Sequence, residues 1–312
     1  MNGLVVRRLG QIVPTVVFAT FLVFMLLQLV PGDAALVLAG EAVTDERMIE
    51  IREQLGLDRP LLVQYGSWLW SALQGDFGRS FRSGHPVLGL TLSHFAVTAQ
   101  LVVEAVLLAA LIGIPMGIFA AVKRHSPAGA ITRAVAIIGV SIPSFVLAML
   151  LVAVFALLLR WFPATGFVSW FDDPVRAARY TLLPAFAISL VGASEVARQS
   201  ASALATVLSS DSVRTHIGKG LPPHVILRHA LRNTGVLIVT LLTLLVNRFL
   251  GATVVVETVF AIPGAGRLVV EAVNGRDFPV VQGVVLVMVI AVMLVNLFGD
   301  LAYRAIDPRI KL

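Results

Sequence analysis

Long apolar runs, each closed by a small cluster of charge, dominate this chain. Leu9 to Gly32 carries no charge and follows Arg7-Arg8. The next run, 95–122, is broken only by Glu104 and stops at Lys123-Arg124-His125. Residues 134–159 are charge-free, and a fourth run starts at Tyr180 and passes Glu195 and Arg198. The fifth contains Arg248 and closes at Glu257, and the sixth runs charge-free from Phe278 to Gly299. About 20 apolar residues cross a hydrocarbon core of about 30 Å. The pattern therefore predicts an all-α membrane protein with six transmembrane helices near 9–30, 95–122, 134–159, 180–203, 234–258 and 278–303. A cleaved signal peptide is the rival for the first run, but its apolar region spans only about 7–15 residues, so a retained span is expected.

Two connections carry a pattern of their own. The outer loop, 31–94, is too long for a structureless connection. Met48, Ile51 and Leu55 recur at helical spacing before Gly56, and Pro60 opens a second amphipathic stretch with Tyr65, Trp68 and Trp70. Such rings settle at a membrane–water interface. The loop reads either as a cap on the outer leaflet or as a docking surface for an extracytoplasmic partner. The loop 204–233 draws a short helix: Ser209-Ser210-Asp211 offers N-cap oxygens, Gly220 fits the left-handed position after the last turn, and Pro222-Pro223 forbids continuation. Beyond it His224, Arg228 and Arg232 recur every four residues, with His229 and Asn233 beside them, while Ile226, Leu227, Ala230 and Leu231 face away. This segment is either a lever for a cytosolic partner or a passive connector.

Composition sharpens the picture. At 58% hydrophobic and 13% charged, the chain has about half the charge of a soluble domain, which excludes a soluble enzyme and disorder alike. With no cysteine, disulfides, thiolate catalysis and cysteine-bound metals are excluded. The net charge of +6 is an orientation signal. The terminal side of the six-span scheme holds 13 basic residues in 69 positions, against 11 in 118 on the other. Lysine and arginine concentrate on the cytoplasmic side, so both termini are expected there, and the basic charge needs no nucleic acid.

The motifs follow one another in a fixed order: "LVPGD" (29–33), "LGLDRPLLVQYGSWLW" (55–70), "GDFGRSF" (75–81), "GIPMGIFAAVKR" (113–124), "SIPSF" (141–145), "VRTHIGKGL" (213–221), "RHALRN" (228–233), "VVVETVFAIPGAGRLVVEAV" (254–273), "RDFPVVQG" (276–283) and "NLFGDLAYRAIDPRIK" (296–311). In this series the chain resembles the permease subunits of ABC importers, in particular the dipeptide/oligopeptide/nickel family, over nearly its whole length. The resemblance implies one transmembrane permease domain, 1–312, with an outer helical loop and a cytoplasmic coupling helix around Asp211–Gly220, seated in a cleft of a cytosolic ATPase. Asp211, Arg214, Thr215, His216, Lys219 and Gly220 would form that contact. It further implies a second, homologous permease subunit, two cytosolic ATPase domains, an extracytoplasmic substrate-binding protein and a bacterial inner membrane. The chain has no G-x-x-x-x-G-K-[ST] phosphate loop, so ATP and Mg would be bound by the ATPase subunits and no catalytic residue or cofactor is expected here. Relatives commonly read close to "TARAKGL" where this chain has Thr215 to Leu221. Gly218 there weakens the helix by about 1 kcal/mol relative to alanine. A proline usual after "RHALRN" is absent near Leu237.

Charges inside spans are costly and face a bundle interior or a wet path. Glu104, Glu195, Arg198, Arg248 and Glu257 qualify. Asn247, Arg248 and Glu257 are candidates for the translocation path, with Arg248 meeting a substrate carboxylate. The plainer alternatives are an interhelical ion pair of Arg248 with Glu104 or a partner-subunit acid, and a turn anchored by Glu257 through backbone or Arg267. Gly113, Gly117, Gly139 and Gly251 read as close-packing sites. The six histidines lack metal-ligand spacing, so no metal site is expected. The expected function is half of an ATP-driven path for di- or oligopeptides. Nickel chelates, haem or glutathione are alternative cargoes, since a scaffold does not fix cargo. A self-sufficient channel or secondary carrier is the alternative of another class.

Overall fold

The computed structural model describes residues 2–29 and 58–306, together with Ile49, Arg52, Glu53 and Gly56. Met48, Ile51 and Leu55 of the first amphipathic stretch lie outside the described residues. The helices are α1 (Asn2–Gln28), α2 (Leu61–Leu73), α3 (Val87–Val122), α4 (Pro127–Ser141), α5 (Ser144–Leu151, continued as a π-helix over Val152–Leu158), α6 (Pro174–Leu208), α7 (Asp211–Gly218), α8 (Pro223–Val259), α9 (Ala265–Asn274) and α10 (Phe278–Ile306). Among the described residues there is no strand, only an isolated bridge between Arg79 and Pro86. By length and composition α3, α6, α8 and α10 can each cross a membrane, and α4 with α5 makes a fifth candidate if that bent pair is one span. The apolar part of α1, Val13–Gln28, is shorter.

The third apolar run departs from the expected straight span. It bends by 95° between α4 and α5. Pro143 has no N–H to continue α4, and it drives the preceding Ile142 out of the helical region, to φ −89° and ψ 118°. The sequence there is apolar and charge-free, so hydropathy alone conceals the break. Three helices also begin upstream of their apolar runs. Asp173 caps α6 by accepting from the Arg176 N–H at 3.0 Å, with Pro174 in the first turn. Pro223 opens α8, which continues from the amphipathic basic stretch straight into the apolar run. Pro86 O accepts from Leu90 N at the start of α3.

The chain packs as two compact units, residues 1–98 with 263–294, and residues 99–262 with 295–312. In the first, α2 lies on α1 through Tyr65, whose ring stands edge-on to Phe21 at 5.2 Å and whose hydroxyl donates to Val17 O at 2.9 Å. The aromatic stretch thus divides: Tyr65 is buried, whereas Trp70 is 67% exposed. Asp277 holds the motifs at 75–81 and 276–283 together. Its carboxylate accepts from Ser80 Oγ at 2.5 Å, Phe81 N at 3.0 Å and Arg82 N at 3.4 Å.

In the second unit α6 is central, packing on α4, α5 and α8. Its buried positions are mostly Ala, Ser and Gly, the small residues that let helix backbones approach closely in a membrane. A Cβ built on Gly113 of α3 would lie 2.5 Å from Ala193 O of α6, and one on Gly117 would lie 2.0 Å from Ser200 Oγ. On Gly139 of α4 it would meet Ser194 Oγ at 2.1 Å. These three are close-packing sites as expected. Gly251 is not, since nothing among the described residues lies within 4 Å of a Cβ there.

Candidate functional site

The short helix α7 forms where the sequence pattern places it, but its start is made differently. The Ser209 and Ser210 hydroxyls donate backward, Ser209 to Thr206 O at 2.9 Å and Ser210 to Val207 O at 2.7 Å, so neither caps α7. Asp211 occupies the first turn, where a negative charge favours the helix dipole. It pairs with Arg214 at 3.2 Å, and its carbonyl accepts from Thr215 Oγ1 at 2.9 Å.

The end of α7 is the expected glycine stop. Gly220 has φ +73°, its N–H reaches Ile217 O at 2.9 Å, and Leu221 N–H reaches His216 O at 3.2 Å. These paired bonds are the Schellman arrangement, which satisfies the last carbonyls and turns the chain sharply. Val213 faces inward at 5% exposure, leaving Asp211, Arg214, Thr215, Lys219 and Gly220 exposed. Ile217 is 61% exposed, an apolar knob on a polar helix. The sequence carries no signal for it, since single exposed apolar residues are common.

His216 is only partly exposed, and its ring stacks on His229 of α8 with centroids 5.3 Å apart. The pairing ties α7 to the start of α8. There His224, Arg228 and Arg232 are exposed, while Ile226 and Ala230 are buried as their spacing predicts. Ala230 packs with Ala121 of α3 and Leu204 of α6.

Farther along α8, Arg248 forms an ion pair with Glu195 of α6, which also accepts from Gln199 Nε2 at 3.0 Å. The interhelical pair is therefore made with Glu195 rather than Glu104. Glu104 accepts instead from Gln100 Nε2 at 3.0 Å and from the Trp170 indole N–H. Hydropathy flags all three charges, but which helices are neighbours decides the partner, and spacing along one helix is silent on that. Asn247 Nδ2 donates to Asn296 Oδ1 of α10 at 2.7 Å. Glu257 is fully buried, and its backbone carbonyl accepts from Ile262 N at 2.8 Å, closing the turn after α8. Arg267 pairs with Glu271 at 2.7 Å. No group of three or more His, Cys, Asp or Glu side chains that could hold a metal ion occurs among the described residues.

Comparison with known proteins places these features in a family. The family model described as "Binding-protein-dependent transport system inner membrane component" matches residues 113–312, and its N-terminal companion matches residues 1–108. A putative peptide transport system permease protein of Brucella abortus (strain 2308) is 37% identical over 312 residues, covering 100% of this chain and 99% of that protein. The glutathione transport system permease protein GsiC of Salmonella typhimurium (strain LT2) is 38% identical with the same coverage. Among solved structures, an inward-facing form of the MetNI methionine ABC transporter matches 70% of this chain and 97% of its own, with a TM-score of 0.59 at 20% identity. That last likeness speaks to the fold alone. The full-length matches show that this chain belongs to the binding-protein-dependent transport system inner membrane components, the permease subunits of ABC importers.

Proposed function

We propose that this chain forms half of an ATP-driven import path for di- or oligopeptides, with six spans, both termini in the cytoplasm and α7 as its coupling helix. The observation that carries the reading is the geometry of α7: a two-turn helix with a hard stop at its C-terminal end, one buried anchor in Val213, and an outward face bearing Arg214, Thr215, Ile217 and Lys219. A partner ATPase cleft would seat that face, with Ile217 filling an apolar hollow and Gly220 letting the chain leave without a side chain in the way. ATP binding would bring two ATPase domains together and shift α7. The bundle would then open outward, and hydrolysis would reset it. A homologous permease would complete the path, and an extracytoplasmic binding protein would deliver cargo. The chain itself would perform no covalent chemistry and hold no cofactor.

Peptide cargo is supported by the names of the full-length relatives, and glutathione, itself a tripeptide, falls in the same chemical class. Asn247 and Arg248 supply the polar face of the path in this proposal. The Arg248 guanidinium, 54% exposed while paired to Glu195, can exchange that carboxylate for the terminal carboxylate of a peptide at little electrostatic cost. Glu257, buried and next to the turn it closes, supports the outer end of the same helix.

Because the chain lacks cysteine, Thr215→Cys introduces a unique thiol for cross-linking to an ATPase carrying a cysteine in its cleft. A cross-link whose yield changes with nucleotide is expected; its absence in every nucleotide state would refute the coupling role. For the path, Arg248→Ala should assemble normally and transport poorly, and unchanged transport would sink the assignment. Mass spectrometry of cargo co-purified with the whole importer should find peptides. Haem or a metal chelate in their place would overturn the peptide reading.

A further inference from the structure

A cavity of about 320 Å³ opens in the second unit between the end of α3, the start of α4 and the C-terminal half of α6. Three arginines line it, Arg124 after α3, Arg133 on α4 and Arg198 on α6, above a floor that includes Met116, Ala136 and Ile137. No carboxylate lines the cavity. Among the described residues none of the three arginines is ion-paired; Arg124 donates to His125 Nε2 at 2.9 Å and leaves its other donors free. A soluble protein disperses such charges into water. Here Arg124 stands two residues past the end of an apolar helix long enough to cross a membrane, and basic residues that flank such a helix meet lipid headgroups.

We propose that this cavity binds an anionic phospholipid, the phosphate held by Arg124, Arg133 and Arg198 and the first methylenes of one acyl chain laid on the apolar floor. Charge complementarity selects the anion, because three uncompensated guanidinium groups converge on a site that offers no negative side chain. Guanidinium forks suit phosphate oxygens bidentately, and basic pockets between membrane helices are a recognised form of headgroup site. The floor selects the lipid over a free anion, since a small hydrophilic ion gains nothing from Met116, Ala136 and Ile137. Met116 belongs to α3, Ala136 and Ile137 to α4, and Ala197 and Ala201 of α6 line the same cavity, so an acyl chain there would bridge α3, α4 and α6. The inference stands whether or not the cargo is a peptide.

The test uses the full-length chain purified with its partner subunits, stripped of lipid in detergent and offered phosphatidylglycerol or phosphatidylethanolamine with matched acyl chains. Native mass spectrometry reads the retained lipid. Phosphatidylglycerol should be retained preferentially. Each single Arg→Gln change should weaken it about fivefold, and the combined R124Q/R133Q/R198Q variant about 100-fold, with phosphatidylethanolamine unaffected. Ser202 is exposed and lines the cavity, so Ser202→Trp should also lower retention by blocking the floor without removing a charge. Equal retention of both lipids, or retention by the triple variant at the wild-type level, would overturn the proposal. So would full displacement by millimolar inorganic phosphate, which would make the site one for a free anion, or indifference to Ser202→Trp, which would reduce it to surface electrostatics.

Discussion

Substituting alanine at Gly113 and at Gly139 separates two kinds of close helix contact. At Gly113 the new methyl meets the Ala193 carbonyl oxygen at 2.5 Å and Val196 Cβ at 2.8 Å. Neither can turn aside, because one is backbone and the other is the first atom of its side chain. Carbon contacts settle at about 3.5–4.0 Å, and a gap of about 0.5–1 Å along a packed seam forfeits a quarter to a half of its attraction. The retreat of α3 from α6 should cost about 1–3 kcal/mol, or a fall of about 2–5 °C in the melting temperature of the purified protein. At Gly139 the obstacle is Ser194 Oγ at 2.1 Å, with the next atoms at 3.2 and 3.9 Å. A hydroxyl can rotate, so Gly139→Ala should cost less, and Ser194→Ala should restore most of the loss in the double variant. Thermal unfolding of the four proteins in one detergent gives the coupling energy directly. Equal losses at the two glycines, or no recovery with Ser194→Ala, would refute the close-packing account. Gly251→Ala, with nothing to strike, should not lower stability.

Three further outcomes follow from the same geometry. In α7, Gly218→Ala should raise helix stability by about 1 kcal/mol because its Cβ meets nothing. Gly220→Ala, two residues on, should lower it by about 1–2 kcal/mol because φ is +73°; amide hydrogen exchange in residues 211–221 reads both, and changes of the same sign would contradict the capping geometry. Asp277→Ala strands the Ser80 hydroxyl and two backbone N–H groups and should cost about 2–4 kcal/mol, seen as a lowered unfolding midpoint with faster proteolysis around residues 75–86. Exchanging the charges of the interhelical pair, Arg248→Glu with Glu195→Arg, should restore the stability lost by either change alone; in a transport assay the double variant should nevertheless stay impaired, and full recovery would show that the pair is structural only.

Much of this architecture was legible from two periodicities. Apolar runs located α3, α6, α8 and α10, and the glycine and proline signals around α7 gave its end to the residue. The failures have physical causes. Helix starts at Val87, Pro174 and Pro223 lie in polar or mixed sequence, where a proline at or next to the first residue, joined in α6 by the Asp173 cap, marks the start and hydropathy does not. The 95° bend at Pro143 sits within an unbroken apolar run, so the local backbone chemistry of one residue overrides a pattern that spans 26. Partner choice was the least accessible. Arg248 finds Glu195 rather than Glu104, and Asp277 gathers donors from a loop about 195 residues away in sequence, contacts that only tertiary packing creates. Ser209 and Ser210 show a milder failure, since hydroxyls able to cap forward donate backward instead.

The length of α8 has a mechanical consequence. Its 37 residues contain no internal proline, and at about 1.5 Å per residue they make one rod about 55 Å long. His229, against α7, sits near one end, with Arg248 about 28 Å along and Glu257 close to the other. A rod of this length converts angle into distance: pivoting by about 5° sweeps its far tip through about 5 Å, more than the reach of a hydrogen bond. Whatever tilts the histidine end by a few degrees therefore makes or breaks contacts at the opposite end, with no bond inside the helix having to change.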